Sequence, residues 1–275
     1  MKVLIIGATG MLARPVIDEL DKKGFQLRLF SRSANQSNFI KDYEIVNGDV
    51  FNKKDIENAM SGCDAVHINL SRVNEAKAAD VIVEAAQKEG IQLISTLSGC
   101  TVSEENRWFS MINDKFIAEQ KIIKSFIPYM IFRATWFFES LNLMVRDGKA
   151  TIIGKQNNAY HWIAAKDYAR MVGEAYLNEK ARNKIFYVLG QTPYMMKELL
   201  EKYIEVQHPS IKKINTVSTG LLKFISRISR NKQLFHVAEM FRYFEKTKEQ
   251  GNAEETYSLL GKPQISFEKW LYEKD

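Results

Sequence analysis

The stretch Gly7-Ala8-Thr9-Gly10-Met11-Leu12-Ala13 decides the fold. It stands between Lys2–Ile6, an apolar run that reads as a buried strand, and Met11–Lys22, whose Leu12, Val16 and Leu20 share one helical face. The chain must turn sharply from strand into helix there. Gly7 makes that turn without a Cβ penalty, Gly10 lets a pyrophosphate approach the backbone, and Ala13 lets the helix lie close to the sheet. The start of the helix, with Thr9, Met11 and Leu12, offers N–H groups and the positive end of the helix dipole to the phosphates. The spacing Gly-x-x-Gly-x-x-Ala departs from the Gly-x-Gly-x-x-Gly fingerprint. Its place at the first strand–helix junction is what argues for a dinucleotide loop over a tight turn with no ligand.

Working outward, apolar runs alternate with helical patterns. Phe25–Phe30, Tyr43–Val46, Ala65–Leu70, Ile91–Leu97 and Tyr129–Phe132 read as strands. Lys54–Met60, Ala76–Lys88 (closed by Gly90) and Trp108–Ser125 read as helices. Right-handed crossovers then imply an α/β fold, a doubly wound parallel sheet covered on both faces. After Arg133 the alternation loosens. Trp136–Val145, Lys166–Leu177, Met195–Val206, Leu221–Ile228 and Leu234–Phe244 look helical, whereas Thr151–Ile153 and Lys184–Leu189 look extended. The expected organisation is a dinucleotide-binding core over 1–133 and a smaller, mostly helical region over 134–275, packed on that core at the substrate side.

The end of the second strand selects the cofactor. A site for NAD places Asp or Glu there to hold the ribose hydroxyls. Here the strand ends Leu29-Phe30-Ser31-Arg32-Ser33, with a cation, two hydroxyls and no acid. That set suits the 2′-phosphate of NADP(H), because hydrogen bonds between charged partners are the strong ones.

These features, with Gly48-Asp49-Val50, Leu93-Ile94-Ser95-Thr96, Lys115 followed by Glu119, and Phe132-Arg133-Ala134-Thr135-Trp136-Phe137, resemble the atypical short-chain dehydrogenase/reductases, in particular their NmrA-like group. Trp162-Ile163…Asp167 and the late Gly261-Lys262-Pro263…Ser266-Phe267-Glu268 extend the likeness over most of the chain. The resemblance implies a Rossmann fold. It also implies that Asp49 and Val50 flank the adenine, that Asn69, Leu70 and Ser71 line the ribose nearest the nicotinamide, and that Thr135 and Trp136 lie at the nicotinamide end. Ala134 stands where the family often carries proline.

Carbonyl-reducing members of the wider superfamily use Tyr-x-x-x-Lys. The matching stretch here is Met111-Ile112-Asn113-Asp114-Lys115, and methionine has no proton to donate. Lys115 is the remaining catalytic candidate, against the alternative of a surface lysine paired with Glu119 one turn on. Thr96 and Ser98 are candidate hydroxyls at the end of the fifth strand, against ordinary turn residues. Tyr160 and His161 are candidates from the second half. Two functions follow. One is an NADPH-dependent oxidoreductase acting on a quinone or other activated, apolar or aromatic small molecule that needs little acid help. The other is an NADP(H)-binding redox sensor or regulatory protein.

Composition narrows the classes. In 275 residues, 45% hydrophobic and 26% charged describe a globular chain. Two cysteines, Cys63 and Cys100, make neither a disulfide framework nor a four-cysteine metal site, and point to a reducing, cytoplasmic setting. No signal-peptide pattern and no run of 18 apolar residues is present. The net charge of +6 is local: between Lys212 and Glu249 nine basic residues face three acids (Glu239, Glu245, Glu249). The remaining 30 basic and 30 acidic residues cancel, which argues against a nucleic-acid binder. The basic segment reads as a helix pair with its apolar face on the core, as a lid over a hydrophobic substrate, or as a contact for an anionic membrane surface.

Overall fold

The computed structural model describes residues 1–70 and 74–273. In chain order the first elements are β1 (Lys2–Ile6), α1 (Ala13–Lys22), β2 (Gln26–Ser31), β3 (Glu44–Asn47), α2 (Lys53–Met60), β4 (Ala65–Ile68), α3 (Glu75–Glu89), β5 (Leu93–Gly99), α4 (Ser110–Lys124) and β6 (Tyr129–Ala134). There follow β7 (Val145–Arg146), β8 (Lys149–Ile153), α5 (Ala165–Leu177), β9 (Lys184–Val188), α6 (Met196–Gln207), β10 (Ile214–Val217), α7 (Thr219–Ile228), α8 (Lys232–Lys246), α9 (Glu254–Leu260) and α10 (Phe267–Tyr272).

The chain divides into two compact units. The first holds a seven-stranded, all-parallel sheet in the order β3-β2-β1-β4-β5-β6-β9. Its central strands are continuous apolar runs because both faces are covered: Val3, Leu4, Ile5 and Ile6 have no exposed surface. Helix α1 buries Ala13, Val16, Ile17 and Leu20, a stripe of helical period. Each such Val, Ile or Leu contributes about 1.5–3 kcal/mol. Asn52 and Asn74 cap α2 and α3 by accepting the N–H groups of Lys54 and Lys77, and Gly90 closes α3 in the left-handed region.

Strand order reverses between β1 and β4, so the crevice at their C-terminal ends is where an open α/β sheet binds ligands.

The organisation expected after residue 133 is corrected in one respect. Ala165–Val188 and Asn252–Lys262 return to the first unit. The reason is the sheet edge: β6 would present unpaired N–H and C=O groups, and β9 pairs with it from Met130↔Lys184 to Ala134↔Val188. Helix α5 belongs to the same unit as α1. Its Arg170 donates to the carbonyls of Leu260 and Lys262, which fixes the Gly261-Lys262 turn in place.

The second unit comprises Thr135–Ala164, Leu189–Gly251 and Pro263–Asp275. It contains a small sheet, β10-β8-β7, which the sequence patterns did not reveal. Trp136–Val145 is not an α-helix; a 3₁₀ segment runs over Phe138–Met144. The core of this unit is aromatic. Trp136 stacks on Trp162 with ring centroids 5.4 Å apart and meets Phe244 at 4.7 Å. No helix among the described residues is long and apolar enough to cross a membrane.

Candidate dinucleotide site and its relatives

The glycine loop is built as its residue types require. Gly7 has φ +81°, and a Cβ there would stand 2.3 Å from the Asn69 carbonyl oxygen, at the junction of β1 and β4. The Gly7 and Ala8 N–H groups donate to the Phe30 carbonyl, and that of Gly10 to Gly7. Helix α1 begins only at Ala13, two residues later than its pattern suggests, because Ala13 turns back onto the Gly10 carbonyl. Thr9, Met11 and Leu12 are therefore left in the turn. Their N–H groups donate to no acceptor among the described residues, and no side chain caps the helix.

At the end of β2, Ser31 is buried with its hydroxyl accepting from the Ser33 N–H. Arg32 is exposed and makes no ion pair among the described residues. Past β3, Gly48 leaves no room for a Cβ, which would stand 2.7 Å from Asp55 and 2.9 Å from the Phe30 ring. The Asp49 carboxylate accepts the Phe51 N–H and Val50 is buried, so this turn shapes an apolar floor before α2. Asn69 follows β4 and is 8% exposed. Its side-chain Nδ2 is buried with no hydrogen-bond partner among the described residues, a costly state that a polar ligand in the crevice would relieve. Leu70 lies beside Gly7. Ser71 falls outside the described residues. N–H groups, a buried amide and a cation that have no partner among the described residues all fit a dinucleotide.

The corner formed by β5 and α4 is different. Ser98 donates to Glu119, which is 1% exposed, and Arg133 clamps the same carboxylate at 2.6–3.2 Å while donating to the Tyr187 hydroxyl at 2.9 Å. Thus Glu119 serves Arg133 and Ser98, not Lys115. Lys115 Nζ instead holds both oxygens of Glu75, at 2.8 and 2.9 Å. Burial pushes the Glu75 carboxyl up from its ordinary value, and the Lys115 ammonium opposes that shift. Thr96 is buried, its hydroxyl 3.4 Å from the Leu97 carbonyl. Met111 sits in the first turn of α4.

Beneath the other face of the sheet lies a second polar chain absent from the sequence-based expectations. His67 Nδ1 meets Ser95 Oγ at 2.8 Å, Ser95 meets the Tyr176 hydroxyl at 2.7 Å, and His67 Nε2 meets the Tyr168 hydroxyl at 3.3 Å. Burial pushes the His67 imidazole down to about 3, so it is neutral.

In the second unit Thr135 donates to Glu249, and the same carboxylate takes the His161 N–H and Nδ1. His161 and Glu249 line an open cavity of about 420 Å³ with Asn157, Asn158, Leu189 and Lys248. Tyr160 is buried and donates to the Thr247 carbonyl. Glu249 had no sequence signal; it stands in a run of mixed charge with no motif around it. Trp136 is part of the aromatic core, its indole N–H buried without a partner among the described residues. Among the described residues no group of His, Cys, Asp and Glu could hold a metal.

Comparison with known proteins agrees with this geometry. The chain is 27% identical over 243 residues to the photosystem II assembly factor Ycf39 of Trieres chinensis, covering 83% of this chain and 76% of that one. A nucleoside-diphosphate-sugar epimerase structure from Staphylococcus aureus superposes with a TM-score of 0.79 at 20% identity, covering 99% and 100% of the two chains. An NADPH-dependent quinone oxidoreductase from Escherichia coli, complexed with NADPH, superposes with a TM-score of 0.77 at 17% identity, covering 98% of each. The family model for NAD(P)H-binding proteins matches residues 7–175, from the first glycine of the loop through most of α5. The chain thus belongs to the NAD(P)H-binding family.

Proposed function

We propose that the protein is an NADPH-dependent reductase of an activated, apolar acceptor such as a quinone. The observation that carries this reading is the contrast at the sheet's C-terminal edge: the donors of the glycine loop have no acceptor among the described residues, while Met111 stands where the superfamily carries its acid. Bound NADPH supplies a hydride; with one proton from solvent, a quinone becomes a hydroquinone. The N–H groups of Thr9, Met11 and Leu12 hold the pyrophosphate, and Gly10 keeps that position clear. Ser31 and Arg32 hold the 2′-phosphate. Asn69 Nδ2 and the remaining Lys115 N–H orient the nicotinamide ribose, and Glu75 fixes the Lys115 ammonium. Neither Ser98, whose proton goes to Glu119, nor Tyr160, whose proton goes to Thr247, supplies the acid. A positioned acid is worth about 10²–10⁴-fold, so simple ketones and aldehydes are poor substrates and quinones better ones.

A second reading is a protein that binds NADP(H) and assists a partner. The pairing of Lys115 with Glu75 and of Glu119 with Arg133 favours it, as does the similarity to an assembly factor. Steady-state NADPH oxidation with a panel of quinones, beside NADPH binding measured without acceptor, separates the two. Turnover with quinones and little with aldehydes supports the reductase; tight binding with no turnover of any acceptor supports the second reading.

A further inference from the structure

We infer that α7 is a membrane-surface helix: it lies in the plane of an anionic lipid bilayer, with its apolar stripe among the acyl chains and flanking cations at the headgroups. Leu221, Phe224, Ile225 and Ile228 follow the i, i+3, i+4, i+7 pattern, which places them on one face. All four are exposed, at 52, 61, 42 and 69%. Four large apolar side chains within eight residues form a contiguous exposed patch, not the scattered exposure ordinary for a surface.

The opposite face of α7 is already occupied. Ser226 is 2% exposed, and Lys223 is turned back to Glu239 of α8 at 2.7 Å and lies over the Phe235 ring. Intrahelical contacts and packing on α8 thus use up that face and leave the stripe free. Glu239 and Arg242 of α8 and Glu245 beyond them face Lys223, each other and the Gly154 turn.

Charge selects the occupant. Arg227, Arg230 and Lys232 are exposed around the C-terminal end of α7 and make no ion pair among the described residues. Lys212 and Lys213 are exposed just before β10. A helix with a large apolar face and a rim of unpaired cations matches the in-plane geometry of peripheral helices. Anionic lipid attracts such cations, by roughly 1 kcal/mol each near the surface. No acidic residue lies within α7 or in the Ser229–Asn231 turn, so nothing in the stripe's own segment repels the headgroups. A second copy of the chain would bring a like-charged rim against this one.

Co-sedimentation of the full chain with vesicles tests this, comparing phosphatidylcholine alone with phosphatidylcholine containing phosphatidylserine. Binding to the anionic vesicles, weakened by added salt, is the expected result. Phe224→Ser with Ile228→Ser should lower the partition coefficient at least tenfold, and Arg227→Glu with Arg230→Glu by about 10- to 100-fold. Thermal melting and NADPH binding of each variant verify that the protein is folded; these side chains are exposed and belong to the second unit, the glycine loop and β2 to the first. Equal binding to neutral vesicles, or vesicle binding unchanged in both variants, overturns the inference. So does a dimer in solution that the Phe224/Ile228 variant dissociates while the parent protein ignores vesicles.

Discussion

The two ends of the parallel sheet's functional edge are built from the same kinds of residue and serve opposite purposes. Around β1, β2 and β4 these polar groups have no partner among the described residues: the N–H groups of Thr9, Met11 and Leu12, the Arg32 guanidinium and Asn69 Nδ2. Around β5, β6 and α4 every prominent polar group is tied to another, as Ser98–Glu119–Arg133–Tyr187 and Lys115–Glu75. Unsatisfied donors near a cleft are tolerated where a ligand completes them, whereas buried charges without ligand must be paired. In the reading proposed here, the first half is the part that binds the dinucleotide. The second is a brace of paired polar groups that joins α3, α4, β5, β6 and β9.

The largest expected effect is at the loop. A Cβ at Gly10 would stand 3.1 Å from the Gly7 carbonyl oxygen, a tight contact that a small shift relieves, and would occupy the space proposed for the pyrophosphate. Gly10→Val should abolish measurable NADPH binding in titration calorimetry while far-UV circular dichroism stays native. Unchanged affinity in the folded variant would reduce the loop to a turn.

Next comes the brace. Lys115→Met leaves Glu75 buried without its cation, and breaking one side of a buried pair costs about 3–5 kcal/mol. The sign of the pH effect follows from Glu75, whose folded pKa burial already raises. A carboxyl with a folded pKa above its unfolded one stabilises the fold at low pH, and that contribution is lost as pH rises through the folded value. The Lys115→Met protein should therefore lose stability from acidic to neutral pH more steeply than the parent in urea titrations, and Glu75→Gln added to it should restore a flat profile. A parallel pH dependence in parent and variant would show that the pair is not coupled.

Arg32 offers a smaller, selective effect. A hydrogen bond to a charged group is worth about 1.5–3 kcal/mol, so Arg32→Ala should weaken NADPH binding by roughly 10- to 100-fold and leave NADH nearly untouched. Equal losses for both would move the 2′-phosphate elsewhere.

The smallest effect concerns the hidden chain. His67 is held near 3 when folded but titrates at an ordinary value when unfolded, so the unfolded chain takes up the proton first as pH falls. Its stabilisation is present above that ordinary value and is lost between it and about 3. His67→Gln should show a shallower drop in melting temperature from pH 7 to pH 5 than the parent; an identical drop would assign acid sensitivity to other groups.

Much of this was legible in the chain. The buried strands of the first unit, the glycine loop and the absence of an acid after β2 follow from local rules: apolar runs, a turn that needs Gly7, and a residue type at one position. Element ends were legible to within a few residues, and the late start of α1 at Ala13 was not, because it depends on which carbonyl Ala13 finds. The place of β9 beside β6, the small sheet of β7, β8 and β10, and the partner of Lys115 were not legible. Pairing across a gap such as the 40 residues between Lys115 and Glu75 leaves no mark on the periodicity of either helix. Glu119, four residues from Lys115, was the nearer candidate on spacing alone; Arg133 on β6 holds it instead, bidentate and buried, with a geometry that a surface i, i+4 pair lacks.

Sequence by itself determined the parallel α/β architecture and the glycine turn between β1 and α1, since each rests on residue types within one strand–turn–helix unit. Only the tertiary structure decided which polar groups remain free for a ligand and which are closed off, because that depends on partners brought together from distant strands and helices. It also decided that the stripe on α7 faces outward: the pattern of Leu221, Phe224, Ile225 and Ile228 fixes a face, but the packing of Ser226 and Lys223 against α8 fixes which way that face points.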